Sequence, residues 1–169
     1  MTDKKTYEFF MGEALKQAKL SFEADEVPIG AVLVHQNKII ASAHNLSITN
    51  HDPSAHAEII TIRDAGQYLN NYRLFNCSLY VTLEPCVMCL GAIFHARISN
   101  LVFGAYDPKT GACESVINLK SNKNLNHHCA IHGGILEKES KTLLQDFFKN
   151  KRQKKPLIKS RFLLFTRKI

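Results

Sequence analysis

The chain has 169 residues, 45% apolar and 22% charged, enough for one domain with a proper core and no disulfide staples. That balance excludes pervasive disorder, a collagen-like repeat and a coiled-coil fibre. Lys plus Arg number 22 against 15 acids, and the formal net charge of +7 points to an acidic partner, nucleic acid or an anionic surface, without choosing between them.

The predicted elements alternate. Apolar residues at helical spacing (Phe10, Ala14, Ala18) predict a helix over Thr6–Phe22 with Thr6 as N-cap. Ile29–Val34 and Lys38–Ala43 read as a strand hairpin about Gln36-Asn37. Asn50 to Ser54 is a turn cluster, followed by a helix over Ala55–Leu69. Ser78–Leu83 is a strand, and Pro85 opens a helix to about Ala96, Pro being favoured in a first turn. Asn100–Ala105 is a strand, Asp107 to Gly111 a loop, and Ala130–Leu136 a fifth strand. Glu137–Arg152 is a helix, acidic at its start and basic at its end, as the macrodipole favours. The class is therefore α/β, a sheet of about five strands between helices, with a domain over residues 1–152 and a basic tail over 153–169.

The longest apolar run, Cys86 to Phe94, falls far short of the roughly 18 residues that span a bilayer. The lysines near Met1 have no apolar stretch behind them, so no cleavable leader is expected. Of the five cysteines only Cys86 and Cys89 lie close together. Without an export signal this favours metal ligation plus free thiols over a disulfide framework, and a cytoplasmic protein.

The chemistry concentrates in His56-Ala57-Glu58 and Pro85-Cys86-Val87-Met88-Cys89, both at strand-to-helix transitions. Cys86 and Cys89, three apart, share a helix face near its N-terminus, where thiolate is favoured. With His56 they make three zinc ligands and leave one position for water, the pattern of a catalytic rather than a structural zinc. Glu58, two residues from His56, sits off the ligand face, which suits a proton carrier beside the metal better than a ligand. Taken singly, C-x-x-C is as often redox or structural, and H-x-E arises by chance in helices.

Together these motifs resemble the zinc-dependent cytidine deaminase superfamily, whose fold is a three-layer α/β/α sandwich. Flanking segments narrow the resemblance to bacterial tRNA adenosine deaminases, which convert the wobble adenosine to inosine. They are Glu26 to Val34, His51 to Glu58, Asn71 to Leu74, Leu79 to Cys89, Val102 to Ala105, Lys109 to Ala112, Gly133 to Leu136, and Leu143-Leu144 through Phe147-Phe148. The resemblance covers roughly residues 6 to 152. It implies one zinc per subunit on His56, Cys86 and Cys89, with Glu58 carrying the proton. It also implies that Asn45 hydrogen-bonds the purine, that Val27, Pro28, Ala57, Leu83 and Pro85 line the base pocket, and that Asp107 lies beside the substrate backbone. The partners implied are the anticodon stem-loop of tRNA and a second copy of the chain, with no membrane and no other protein. Tyr106, where some relatives carry Arg, and His44, often aromatic in relatives, depart from the pattern. Two other functions fit the zinc motif: deamination of a free base or nucleoside, of guanine or cytosine type, and a catalytically silent zinc-containing RNA-binding module.

The remaining residues read more plainly. His35, His95, His127, His128 and His132 lack ligand spacing, His51 reads as a turn residue, and Cys77, Cys113 and Cys129 read as bystander thiols. Glu84 fits either a support for the metal site or an acid at a helix N-terminus. The Phe147-Phe148 pair reads as core packing rather than base stacking. From Phe147 onward there are nine bases and no acid; the other 13 bases meet 15 acids, a net of −2. The surplus charge is thus confined to one end, where Lys149, Arg152, Lys154 and Lys155 are candidates to hold RNA phosphates.

Overall fold

The structure, a computed structural model, describes residues 3–154. Of the expected tail, Gln153 and Lys154 close the last helix, and residues 155–169, Lys155 among them, lie outside the described residues. The elements are α1 (Asp3–Glu23), β1 (Gly30–His35), β2 (Lys38–His44), α2 (Ala57–Tyr68), β3 (Cys77–Leu83), α3 (Val87–His95), β4 (Asn100–Ala105), β5 (Ala130–His132) and α4 (Glu137–Lys154). A short 3₁₀ turn, Leu119–Ser121, interrupts the long connection before β5.

The sheet order is β2-β1-β3-β4-β5. The β1 strand pairs antiparallel with β2 and β3, while β3, β4 and β5 run parallel. Strand alternation decides the layers. Ala31, Leu33, Leu79, Val81, Leu101 and Phe103 pack on one face with Leu90, Ile93 and Phe94 of α3 and Ala57 and Ala65 of α2. Their neighbours Val32, Val34, Tyr80 and Val102 pack on the other with Phe10, Met11 and Ala14 of α1. Both faces are covered, which explains why these strands read as continuous apolar runs. Each fully buried Leu, Ile or Phe contributes about 1.5–3 kcal/mol. This is the expected α/β/α arrangement, with α4 packing beside α1.

Several element ends differ from expectation. Thr6 lies inside α1 and is not its cap. The α2 helix starts at Ala57, because residues 50–55 close a turn in which Ala55 N–H donates to Asp52 O. Pro85 precedes α3, whose N-cap is Cys86. The β5 strand stops at His132. A Cβ on Gly133 would collide with the Phe103 ring, and Gly134 turns the chain with φ +84°. The α4 helix carries Lys149, Lys151 and Arg152, so the first basic residues are an ordered part of the sandwich.

Candidate functional site

Two helix N-termini converge at the carboxyl end of β3. His56 caps α2 and Cys86 caps α3, both in extended backbone, and Cys89 follows in the first turn of α3. The ligand atoms of His56, Cys86 and Cys89 lie within 4.8 Å of one another. His56 Nδ1 is 3.4 Å from Cys89 Sγ and 3.8 Å from Cys86 Sγ. A tetrahedral zinc with ordinary bond lengths has N···S edges of about 3.6 Å, so this trio fits the metal.

The trio shares protons. A hydrogen bond from Cys89, aided by His56, brings the Cys86 thiol down to about 4 against the cost of burial. Cys89, which holds the proton toward Cys86 and is itself buried, is pushed far up. The Cys86 contact raises His56. One thiolate is therefore ready at neutral pH, and a metal displaces the proton of the second thiol.

Glu58, in the first turn of α2, is only 4% exposed. Burial raises its carboxyl above the usual carboxylate range. Its Oε2 has no hydrogen-bond partner among the described residues. A buried carboxylate oxygen left unpaired costs stability and marks a group kept for another task. The sequence assigns this residue the role of a proton carrier, and its burial beside His56, Cys86 and Cys89 is compatible with that.

A cleft of about 800 Å³ opens beside His56. Of the expected pocket residues, Val27, Asn45, Leu83 and Asp107 line it. Pro28, Ala57 and Pro85 are buried and outside that lining. Asn45 Oδ1 accepts from Ala57 N–H at 2.8 Å, tying β2 to the start of α2. That oxygen is engaged, so the side-chain NH₂ is the group Asn45 has left to offer. Asp107 is engaged within its own loop: its carboxylate accepts from Lys109 N–H at 2.9 Å and from the Thr110 hydroxyl at 2.6 Å.

Two features of the cleft go beyond the sequence reading. Glu26 is buried and accepts from Ile48 N–H at 3.2 Å and Thr49 N–H at 2.7 Å, fastening the loop after β2 to the cleft rim. The α4 helix supplies a wall through Leu144, Phe148 and Arg152. Their i, i+4, i+8 spacing was the available signal. The paired phenylalanines divide: Phe147 is buried against Phe22, ring centroids 5.7 Å apart, whereas Phe148 is 45% exposed at the cleft. Core packing thus holds for the first and not for the second. Of the basic candidates, Arg152 lines the cleft and Lys149 is exposed away from it. His127 bonds Ile98 O and packs on Phe94, a structural role. His51 occupies a turn with φ 50°.

The MafB19-like deaminase family model matches residues 5–152. A tRNA-specific adenosine deaminase of Bacillus subtilis is 47% identical over 148 residues, 88% of this chain and 92% of that protein. One of Buchnera aphidicola is 50% identical over 149 residues, 86% and 90% of the two chains. A solved structure from work on A-to-I editing by tRNA:A34 deaminases superposes with a TM-score of 0.78 at 46% identity, covering 80% of this chain and 99% of that one. On the strength of the metal triad, the buried glutamate and this likeness along the whole domain, the chain belongs to the family of tRNA-specific adenosine deaminases.

Proposed function

We propose that this protein binds one zinc ion through His56, Cys86 and Cys89 and converts the wobble adenosine of tRNA to inosine by hydrolysis. Water adds at C6 of adenine, and ammonia leaves. The observation that carries the chemistry is the buried carboxylate of Glu58, whose Oε2 has no hydrogen-bond partner among the described residues, beside three side chains that could hold a metal ion. When bound, zinc supplies the Lewis acidity that lowers the pKa of water from 15.7 to about 7. Glu58 accepts a proton, delivers it to the ring nitrogen and then serves the departing amine. Its raised proton affinity suits both transfers. Asn45 offers its NH₂ to the purine, and α4 offers the ring of Phe148 and the guanidinium of Arg152 to the flanking strand. An anticodon loop suits such a cleft, since extruding a paired base costs a few kcal/mol more.

The outer face of α3 is where a second copy would dock. Val87 and Met88 are exposed beside the ligands, and a Cβ on Gly91 would meet nothing within 4 Å. This apolar, open helix face supports a homodimer. No helix among the described residues is long and apolar enough to cross a membrane. The five free cysteines and a tRNA substrate support a cytoplasmic location.

The test is incubation of zinc-loaded protein with an anticodon stem-loop carrying wobble A, and separately with free adenine, guanine and cytosine. Inosine in the stem-loop is the expected product by mass spectrometry. Turnover of a free base alone would overturn the tRNA reading. Glu58→Ala keeps zinc and loses about 10²–10⁴-fold in turnover, the range of a general acid–base. Retained turnover would remove Glu58 from this role.

A further inference from the structure

Glu84 stands two residues before the first cysteine ligand, and its carboxylate is only 2% exposed. It does not act as a helix-terminal acid: α3 has no acidic residue in its first turn and no side-chain cap. Its partners come instead from one loop. Oε1 accepts from the N–H groups of Cys113 at 3.0 Å, Glu114 at 2.7 Å and Ser115 at 3.1 Å. Oε2 accepts from Asp107 N–H at 3.1 Å and from the Ser115 hydroxyl. Only a carboxylate offers enough lone pairs for five donors and no opposing N–H.

The same loop is fastened to the ligand segment. Gly111 bridges to Cys86, and Ala112 N–H donates to Pro85 O at 2.9 Å. A Cβ on Gly111 would run into Glu84 Oε2 and Asp107 O, so the close approach requires glycine. On its other side the loop presents Asp107, Lys109 and Thr110 to the cleft.

We propose that Glu84 is a positioning residue: its carboxylate folds residues 107–115 into the cleft wall and registers that wall against the Cys86 segment, so that it receives the RNA strand flanking the reacting base. The inference rests on the tRNA reading. Glu84 touches neither metal nor substrate. Its contribution is to binding, which ground state and transition state share, and its loss therefore falls on KM rather than kcat.

The experiment compares wild type with Glu84→Gln, both zinc-loaded, on the anticodon stem-loop. Glutamine keeps the size but turns an NH₂ toward the donors. The expected result is full zinc content and faster amide exchange at Asp107, Cys113, Glu114 and Ser115. KM rises about tenfold or more, the factor of one charge-assisted hydrogen bond, with kcat changed less. An unchanged KM overturns the inference whatever the melting temperature does. Loss of zinc overturns it too, by moving Glu84 into support of the metal. Should Glu84→Gln not fold, Ser115→Ala decides: it removes one of the five donors and leaves the four backbone ones, and KM rises by about threefold, the low end for a hydrogen bond, or the inference falls. If wild type makes no inosine, the tRNA reading fails. If wild type does and the variants keep its KM, only the role of Glu84 fails.

Discussion

At the residue scale, Glu58 carries a burial cost that its hydrogen bonds and the nearby His56 offset only in part. Burial keeps its carboxyl protonated to higher pH than in the unfolded chain, where the ordinary value is 4.5. Below that pH both states hold the proton and the burial costs nothing extra. As pH rises past 4.5 the unfolded chain releases the proton first, so the native state loses stability until pH exceeds the raised native value. Metal-free Glu58→Gln has no proton to hold. At neutral pH it is expected to melt above metal-free wild type, by about 2–4 °C per kcal/mol recovered, with the gap closing in acid. Coincident melting curves at neutral pH would show that the carboxylate is not strained. The residue trades stability for a raised proton affinity, which is what the proposed acid–base role asks of it.

At the element scale, the helix N-termini do most of the positioning. The α2 and α3 helices each begin with a member of the candidate metal-binding trio as cap residue, so their dipoles favour thiolate at one point. The helix starts are legible in the sequence to within two residues, because His56-Ala57-Glu58 and Pro85-Cys86 sit beside turn and proline signals. The exact first residues are not. Ala55 was available to a helix by propensity, and the turn bonds around Asp52 claimed it. The outer side of α3 gives a prediction at this scale. Met88→Lys places a charge in the exposed apolar face. In sedimentation experiments it should raise the dissociation constant of the proposed dimer at least about thirtyfold, the effect of losing a roughly 2 kcal/mol hot spot. An unchanged constant would place the dimer interface elsewhere.

At the scale of the molecule, two neighbouring bases of the stretch that carries the surplus charge have different surroundings. Lys151 is committed internally: it pairs with Asp25 at 2.7 Å and lies 5.3 Å from the centroid of the Phe147 ring. Arg152, one residue on, faces the cleft. The two therefore separate in a salt titration of stem-loop binding. Arg152→Gln should weaken binding and flatten the log–log salt slope by about 0.7, because one phosphate is no longer neutralised by the protein. Lys151→Gln should leave the slope unchanged. Equal slopes for Arg152→Gln and wild type would take α4 out of the RNA site.

The sequence by itself determined the layers, the candidate metal-binding trio and the location of the excess charge. These are local signals: alternation along β1, β3 and β4, a three-residue spacing of cysteines, and a run of bases without acids. Tertiary structure decided what meets across the cleft. Glu26 and Glu84 are ordinary acids in a string of letters, and only the sheet order brings them to backbone N–H groups 22 to 31 residues away. The split between Phe147 and Phe148 needed the same information. Adjacent residues on a helix point about 100° apart, and which of them met the core rested on where α4 lay against α1.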